Sequence, residues 1–559
     1  MTSESFDIDG LGNRDLVFLP LGGAGEIGMN LNLYGHAGKW LMVDCGITFG
    51  DDSTPGVEVI MPDPAFIVER RDALVGLVLT HAHEDHLGAV HWLWPQLKCP
   101  IYATPFTAAV LRHKLAEAGL ERAAKITEVP MSGRFAVGPF DVELVTLTHS
   151  IPEPNAVVIR TGAGTVLHTG DWKLDPDPLV GPSTDEEALM RVGADGVLAM
   201  VCDSTNVLVP GTSGSEASVR EILIELVGRM DNRVAVAAFA SNVARLETIC
   251  RAAEAHGRRV ALVGRSMKRI VAAAQETGYL ADVAPFVADS DIGYLPRNEV
   301  LMICTGSQGE PRSALSRIAD DDHSDVRLEA GDAVIFSSRE IPGNERSIGR
   351  LQNKLVSLGV DIVTARDEDV HVSGHPARDE LIQMYQWIRP KIAVPVHGEA
   401  RHLIAHAELA RECQVPEPVG ARNGYAVRLA PGRATVVNEV PHGRLAVDGT
   451  RLIPMESAAL RDRRRLAYNG SAVVTVVVDG NGRVRGMPQV AIAGVFDRDV
   501  EPEIAHEVED AVTVAVEDLP KPRRKDDAEV REAARLAVRR SIRALCGKRP
   551  QIDVHLVRV

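Results

Sequence analysis

Thr80-His81-Ala82-His83-Glu84-Asp85-His86 stands directly after the apolar run 76–79 and places four potential metal ligands within six positions. In an extended segment alternate side chains share a face, so His81 and His83 can converge on one ion. The following turn then swings Asp85 and His86 towards a second. Packing alone does not account for so many imidazoles at a strand end. Three further donors lie at the ends of predicted strands: His149 after 142–148, Asp171 in His168-Thr169-Gly170-Asp171, and His397 in Pro395-Val396-His397-Gly398-Glu399. Taken singly, such an Asp reads equally as a cap and such a His as a satisfied core residue. Together, five imidazoles and two carboxylates suit two borderline divalent ions bridged by a hydroxide and one carboxylate, with Asp171 as the bridge.

Around this run, 15–208 alternates short β-rich runs with turn clusters, interrupted by helical stretches near 87–96, 105–118 and 185–192. That interleaving predicts a layered α/β domain with helices outside the sheets. Between 209 and 369 the helices lengthen (216–230, 243–256) and each precedes or follows a buried-looking strand (234–239, 260–263), which predicts a separate doubly wound α/β unit. The stretch 392–396 returns to the first style. The middle unit is therefore expected to be an insertion, with 1–208 and 370–460 forming the domain around it and a linker. The basic run 461–465 reads as a linker or solvated edge, and 461–559 as a small C-terminal α/β domain. This last part is expected to hold a hairpin from 472–478 turning at 479–482, helices over 502–519 and 526–546, and a closing strand 552–559.

Composition limits the partners. The 559 residues carry 61 basic and 77 acidic side chains, a formal charge of -16, which excludes a simple basic sleeve for nucleic acid. With 45% apolar residues the chain is too hydrophobic to be disordered, yet no run approaches the roughly 18 apolar residues of a membrane helix. The first ten residues lack the basic and apolar regions of a secretory signal. Seven scattered cysteines without a Cys-x-x-Cys pair fit reduced thiols, so a cytoplasmic protein with no membrane partner is expected. The charge is uneven: 461–559 holds 19 Lys+Arg and 16 Asp+Glu, and 521–549 alone holds 11 and 4. The recurrence of Arg535, Arg539 and Arg543 reads first as a solvated helix face and second as an RNA-contacting patch.

The His-x-His-x-Asp-His run with His149, Asp171 and His397 resembles the metallo-β-lactamase fold, an αββα sandwich. The middle unit, preceded by Cys202-Asp203-Ser204-Thr205-Asn206 and followed by His371-Val372-Ser373-Gly374-His375, resembles the inserted β-CASP domain of a nuclease branch of that fold. Over nearly its whole length the chain is similar to the bacterial ribonuclease J family. The resemblance rests on Leu21-Gly22-Gly23-Ala24-Gly25-Glu26-Ile27-Gly28, Asp44-Cys45-Gly46, Phe239-Ala240-Ser241-Asn242, Thr305-Gly306-Ser307-Gln308-Gly309-Glu310, Ile341-Pro342-Gly343-Asn344-Glu345, the 395–399 stretch and the small C-terminal domain.

The resemblance implies that His81, His83 and His149 hold one ion, Asp85, His86 and His397 the other, and that Asp171 bridges them. Zinc is the expected metal, with manganese and magnesium as alternatives, because histidine-rich sites admit several ions. Asp203 is implied to orient a metal-site histidine, His375 to sit over the scissile phosphate, and Asp85 to accept a proton from the nucleophilic water. The implied activity is hydrolysis of single-stranded RNA, both mRNA and rRNA precursors. It proceeds 5'-to-3' from ends that carry a monophosphate, with endonuclease activity besides. A pocket for that phosphate is expected from Ser373, Gly374 and His375, with Ser241 and Asn242 contacting the RNA backbone, although a Ser-Gly pair is more often only a turn. The C-terminal domain implies a homodimer or homotetramer, and other RNA-decay proteins are candidate partners.

Two signals compete. Gly23-Ala24-Gly25-Glu26-Ile27-Gly28 matches a dinucleotide fingerprint, but 29–34 alternates and turns at 35–38 like a hairpin, where that fingerprint requires a helix. The same metal donors also serve hydrolases of small esters or thioesters. A small substrate needs no extended cleft, which places that reading second, and a non-catalytic RNA scaffold third. Trp92 and Trp94 are expected in the core rather than as base-stacking platforms.

Overall fold

Leu74–Val78, the strand that leads into the histidine run, is buried almost throughout and lies parallel to its neighbours Lys39–Val43 and Ile101–Ala103. These belong to an eight-stranded sheet in a computed structural model that describes residues 6–51, 53–341, 343–497 and 500–559. Pro342, within the 341–345 stretch, lies outside the described residues. A second, seven-stranded sheet packs face to face on the first. Phe18, Tyr34, Leu41 and Val78 from one interdigitate with Val142, Leu144, Val157, Val201 and Val394 from the other. Each such side chain withdrawn from water contributes about 1.5–3 kcal/mol, which is why both inner faces read as Val/Leu/Ile runs. Helices Glu186–Asp195, Arg378–Ile388 and Ala400–Glu412 close the outer face of the second sheet through Leu189, Leu381, Met384 and Leu409. The result is helix, sheet, sheet, helix.

Two adjacent strands of the second sheet, Ala199–Asp203 and Ile392–Val396, are hydrogen-bonded neighbours nearly two hundred positions apart in the chain. Between them the chain builds a parallel five-stranded sheet in the order Arg259–Val263, Val300–Cys304, Val234–Ala237, Ala333–Phe336, Asp361–Val363. Its core, including Ala235, Met302, Val334 and Leu355, is its own. The guanidinium of Arg245, fully buried, donates to both oxygens of Glu216, to Ser337 Oγ and O, and to Val370 O. One side chain thereby ties two helices and a strand end of the insertion to the segment that re-enters the first domain. All of this lies in one unit, Met1–Thr48 with Met61–Gly443.

The second unit comprises Phe49–Ile60 and Arg444–Val559. Its three-stranded sheet has Ser471–Val478 between Gln489–Ala493 and Gln551–Arg558. Helices Pro502–Glu517 and Asp527–Cys546 cover one face through Val508, Val512, Val530 and Val538. The run 461–465 is a solvated edge rather than a linker: it lies on the exposed side of a helix, Ala458–Asn469, arginine being a good helix former. On Asp527–Cys546, Arg535 is paired with Glu532, and the apolar stripe faces the core. Leu16–Gly22, Leu31–His36 and Lys39–Val43 form antiparallel pairs, so no helix follows the Gly-rich stretch and the dinucleotide reading has no place there. Trp92 and Trp94 are only half-buried, with Trp94 Nε1 donating to Cys99 O. Among the described residues no helix is long and apolar enough to cross a membrane.

Candidate metal centre

The donors sit where strands end. Leu74–Val78 delivers His81 and His83, and the short helix Glu84–Leu87 that His83 begins delivers Asp85 and His86. Gly164–His168 is followed by Asp171, Ala199–Asp203 ends on Asp203, and Ile392–Val396 is followed by His397. The last three strands are parallel, and their register sets Asp203 opposite Val396, so His397 emerges beside it. Parallel strands with their carboxyl ends together make the usual binding crevice of open α/β sheets.

Asp44, buried and with φ +64, holds the run in place. Its Oδ1 accepts from Thr80 N at 2.8 Å, and its Oδ2 accepts from Thr80 Oγ1 at 2.9 Å and lies 2.7 Å from His86 Nδ1. That last contact fixes the His86 tautomer and turns Nε2 towards Asp171 Oδ2, 3.1 Å away. Asp203 plays a comparable part on the other side. Its Oδ2 lies 2.8 Å from His375 Nδ1, while its Oδ1 accepts from Thr205 Oγ1, which is 2.9 Å from His397 Nδ1. Asp44 and Thr205 were visible only as members of quoted motifs. Nothing in their spacing gave them partners dozens to hundreds of positions away.

Two donor groups form, each with its ligand atoms within 4.8 Å of one another: His81, His83, His149 and Asp171, and Asp85, His86, Asp171 and His397. Asp171 belongs to both. A third grouping joins Asp171 and His397 to Asp203 and His375. His81 Nε2 and His149 Nε2 each lie 3.0 Å from His83 Nδ1. His149 donates from Nδ1 to Gly374 O, so its Nε2 presents a lone pair. One proton cannot bond well across both short contacts, whereas a cation satisfies all three nitrogens. Asp171 Oδ1 is buried without a hydrogen-bond partner, the kind of orphan a metal resolves. The donor set therefore fits a pair of divalent ions.

Electrostatics agree with the geometry. Burial, followed by the neighbouring imidazoles, holds His81 and His149 well below the ordinary histidine range, and burial pushes His83 down to about 4. These three are neutral and ready to ligate. Burial also acts on His86 and His397, but Asp171 and the adjacent carboxylates outweigh it and hold both high. For Asp85 and Asp171 burial is likewise overcome, by His86 and His397, and both carboxylates are held below their usual range.

The remaining expected residues are less uniform. Ser373 Oγ accepts from Asn206 Nδ2 at 2.7 Å and from His375 N at 3.2 Å, which leaves its own proton free to donate. A Cβ on Gly374 would come within 2.7 Å of the His149 ring, so only glycine lets the loop approach so closely. Ser241 is half-buried. Asn242 is buried and engaged within the protein: Oδ1 caps helix Val243–Ala255 by accepting from Arg245 N, and Nδ2 donates to Glu216. An Asn directly before a helical stretch was a legible capping signal.

Family models match most of the chain: the metallo-beta-lactamase superfamily over residues 28–226, the ribonuclease J beta-CASP domain over 231–355, a Zn-dependent metallo-hydrolase RNA specificity domain over 345–417, and the ribonuclease J C-terminal domain over 458–559. A protein of Sinorhizobium meliloti named ribonuclease J is 49% identical over 552 residues, 98% of each chain. The ribonuclease J of Mycolicibacterium smegmatis is 40% identical over 95% of each chain, and that of Corynebacterium glutamicum 42% identical over 86% of this chain and 67% of its own. A crystal structure of an Enterococcus faecalis protein of unknown function shares the fold, with a TM-score of 0.51 and 15% identity over 74% of this chain and all of that one.

Proposed function

The chain belongs to the ribonuclease J family, and on that premise we propose that it is a metal-dependent ribonuclease of single-stranded RNA. It works 5'-to-3' from monophosphorylated ends and also cuts internally. The observation that carries the reading is the sharing of Asp171 by two donor groups with His375 beside them. His81, His83 and His149 hold one ion and Asp85, His86 and His397 the other. Zinc suits five imidazoles and two carboxylates best. When bound, such a pair of divalent ions supplies Lewis acidity that lowers the pKa of water and neutralises phosphate charge.

The chain's own groups do the rest. Asp203 fixes His375 by Nδ1 and steadies His397 through Thr205, so both imidazoles are presented at set angles. Burial lowers the basicity of His375, but Asp203 and Asp171 outweigh it, so His375 holds a proton more readily than an ordinary imidazole. From Nε2 it can stabilise the charge developing on the phosphate and protonate the departing 3' oxygen. Asp85 accepts the proton of the attacking water. The products are a 5' phosphate and a 3' hydroxyl. Ser373 Oγ–H and the backbone of the 373–375 turn receive the terminal phosphate, and Ser241 meets the RNA backbone from the insertion.

In the same reading the protein is cytoplasmic and forms a homodimer or homotetramer. The deciding experiment follows one 3'-labelled RNA bearing a 5' monophosphate, triphosphate or hydroxyl, with and without chelator. The monophosphate form should disappear fastest, and chelator should stop all three. Equal rates remove the 5' pocket, and activity that survives chelation removes the metal mechanism.

A further inference from the structure

Glu380 stands on the first turn of helix Arg378–Ile388 and is only 2% exposed. Its carboxylate takes four hydrogens. Oε1 accepts from Leu174 N and Ser213 Oγ, both at 2.8 Å, and Oε2 accepts from Ser213 N at 2.9 Å and Ala377 N at 2.7 Å. A glutamate at the third helical position commonly accepts from the residue before the helix, which accounts for Ala377 alone. The other three hydrogens come from far off in the chain. Leu174 lies three residues after Asp171, in the first domain. Ser213 lies on the crossing by which the chain leaves that domain for the insertion, and Ala377 on the crossing by which it returns, two residues after His375.

Neighbouring bonds fasten the same three segments. Arg378 N donates to Val209 O at 2.9 Å and Asp379 N to Gly211 O at 3.1 Å, which binds the returning crossing to the outgoing one. Lys173, itself buried, pairs with Asp175 at 2.8 Å and donates from Nζ to Gly214 O at 3.1 Å, which binds the loop after Asp171 to the outgoing crossing. Glu380 joins all three through one side chain. Two of these segments carry Asp171 and His375, and His375 Nδ1 lies 3.8 Å from Asp171 Oδ2. Asp203 and Asn206 hold His375 from the strand end at 203, by its Nδ1 and its carbonyl oxygen. The bond from Leu174 to Glu380 is what ties the His375 turn to the loop that bears Asp171.

We propose that Glu380 is a positioning residue for the cleavage step: by joining Leu174 to Ala377 through one buried carboxylate, it sets His375 at its distance from Asp171. Hydrogen bonds to a charged group are strong and directional, so a single carboxylate fixes both backbones more firmly than the loops could by themselves. Glu380 touches neither RNA nor metal and acts only through His375. This inference rests on the ribonuclease reading and deepens it, adding to Asp203 a second support for the same imidazole.

The test uses the full chain loaded with metal and a 5'-monophosphorylated RNA. Glu380→Gln keeps the volume, but whichever way the amide turns, its NH2 meets a backbone N–H, of Leu174 on one side or of Ser213 and Ala377 on the other, and the tie opens. The single-turnover rate at saturating RNA should fall about tenfold, with the parent's metal content by elemental analysis. In the His375→Ala protein the same substitution should cost less than about twofold, because the group through which Glu380 acts is already gone. A general role in stability predicts instead that the two losses multiply. Multiplied losses, a parental rate for either single variant, or a loss of bound metal in Glu380→Gln would each overturn the proposal. A parent protein that cleaves no RNA defeats the ribonuclease reading itself. Thermal melting checks the fold, and where Glu380→Gln melts early, Ser213→Ala decides: it deletes one of the four hydrogens, and a loss of about threefold that disappears in the His375→Ala protein is expected.

Discussion

The floor of the reaction site and its lip follow opposite plans. On the floor, His81, His86, Asp171 and His397 are buried, and Asp44, Thr80, Asp203 and Thr205 hold the surrounding groups from behind. At the lip, Ser373 and His375 are half-buried on an irregular loop, secured by Asn206 and the Asp203 carboxylate. A buried, over-determined floor fixes whether the bond breaks. In the proposed reaction the more open, lightly held lip would add His375 to the chemistry and Ser373 to the recognition of the RNA end.

The contrast makes graded predictions. His81→Ala or Asp171→Ala should lower RNA cleavage by about 10³-fold or more, measured in single turnover at saturating metal, with circular dichroism unchanged. A variant at the parental rate would take that residue out of the mechanism and blur the distinction.

Burial of histidines around the floor and beneath the outer helices should also appear as acid sensitivity of the metal-free protein. His168 and His406, fully buried and not among the proposed metal ligands, are each pushed down to about 4, chiefly by burial. Their ordinary value is 6.5, so between these values the unfolded chain binds more protons than the folded one, and stability falls as pH falls. The loss should approach about 3 kcal/mol per histidine at pH 4. Urea denaturation across that window measures it, and His406→Gln should flatten part of the slope. A stability that rises on acidification would contradict the assignment.

Asp203→Asn keeps shape but loses the charge that orients His375 and His397. A 10- to 100-fold drop in kcat with little change in metal affinity is expected, on the order of other supporting-residue losses. Smallest is Ser373→Ala at the lip, where the preference for a monophosphate over a hydroxyl end should shrink by about tenfold, the low end for one hydrogen bond to a charged group. An equal loss on both ends would move Ser373 from recognition to general support.

Much of the floor was legible because its donors crowd into one run and recur at strand ends, a pattern set by coordination chemistry rather than by packing. The insertion was legible from the change of helix length after 209 and the return of β-rich text at 392. What supports the floor was not. Asp44 and Thr205 bond partners that only the sheet register brings near, and single Asp and Thr residues carry no periodic signal. Arg245 is one charge within a helical stretch, and only the fold brings it to Glu216, Ser337 and Val370. Of the two readings of 461–465, the solvated edge stands and the linker does not: clustered charge marks exposure, and says nothing of whether the backbone is helical.

The most direct measurement is metal content against activity. Chelator-stripped protein, titrated with zinc or manganese, should bind about two ions per chain by elemental analysis. RNA cleavage should return as the second is taken up, while His81→Ala and His397→Ala each bind fewer. Full cleavage by stripped protein, or parental metal content in both variants, would contradict the account.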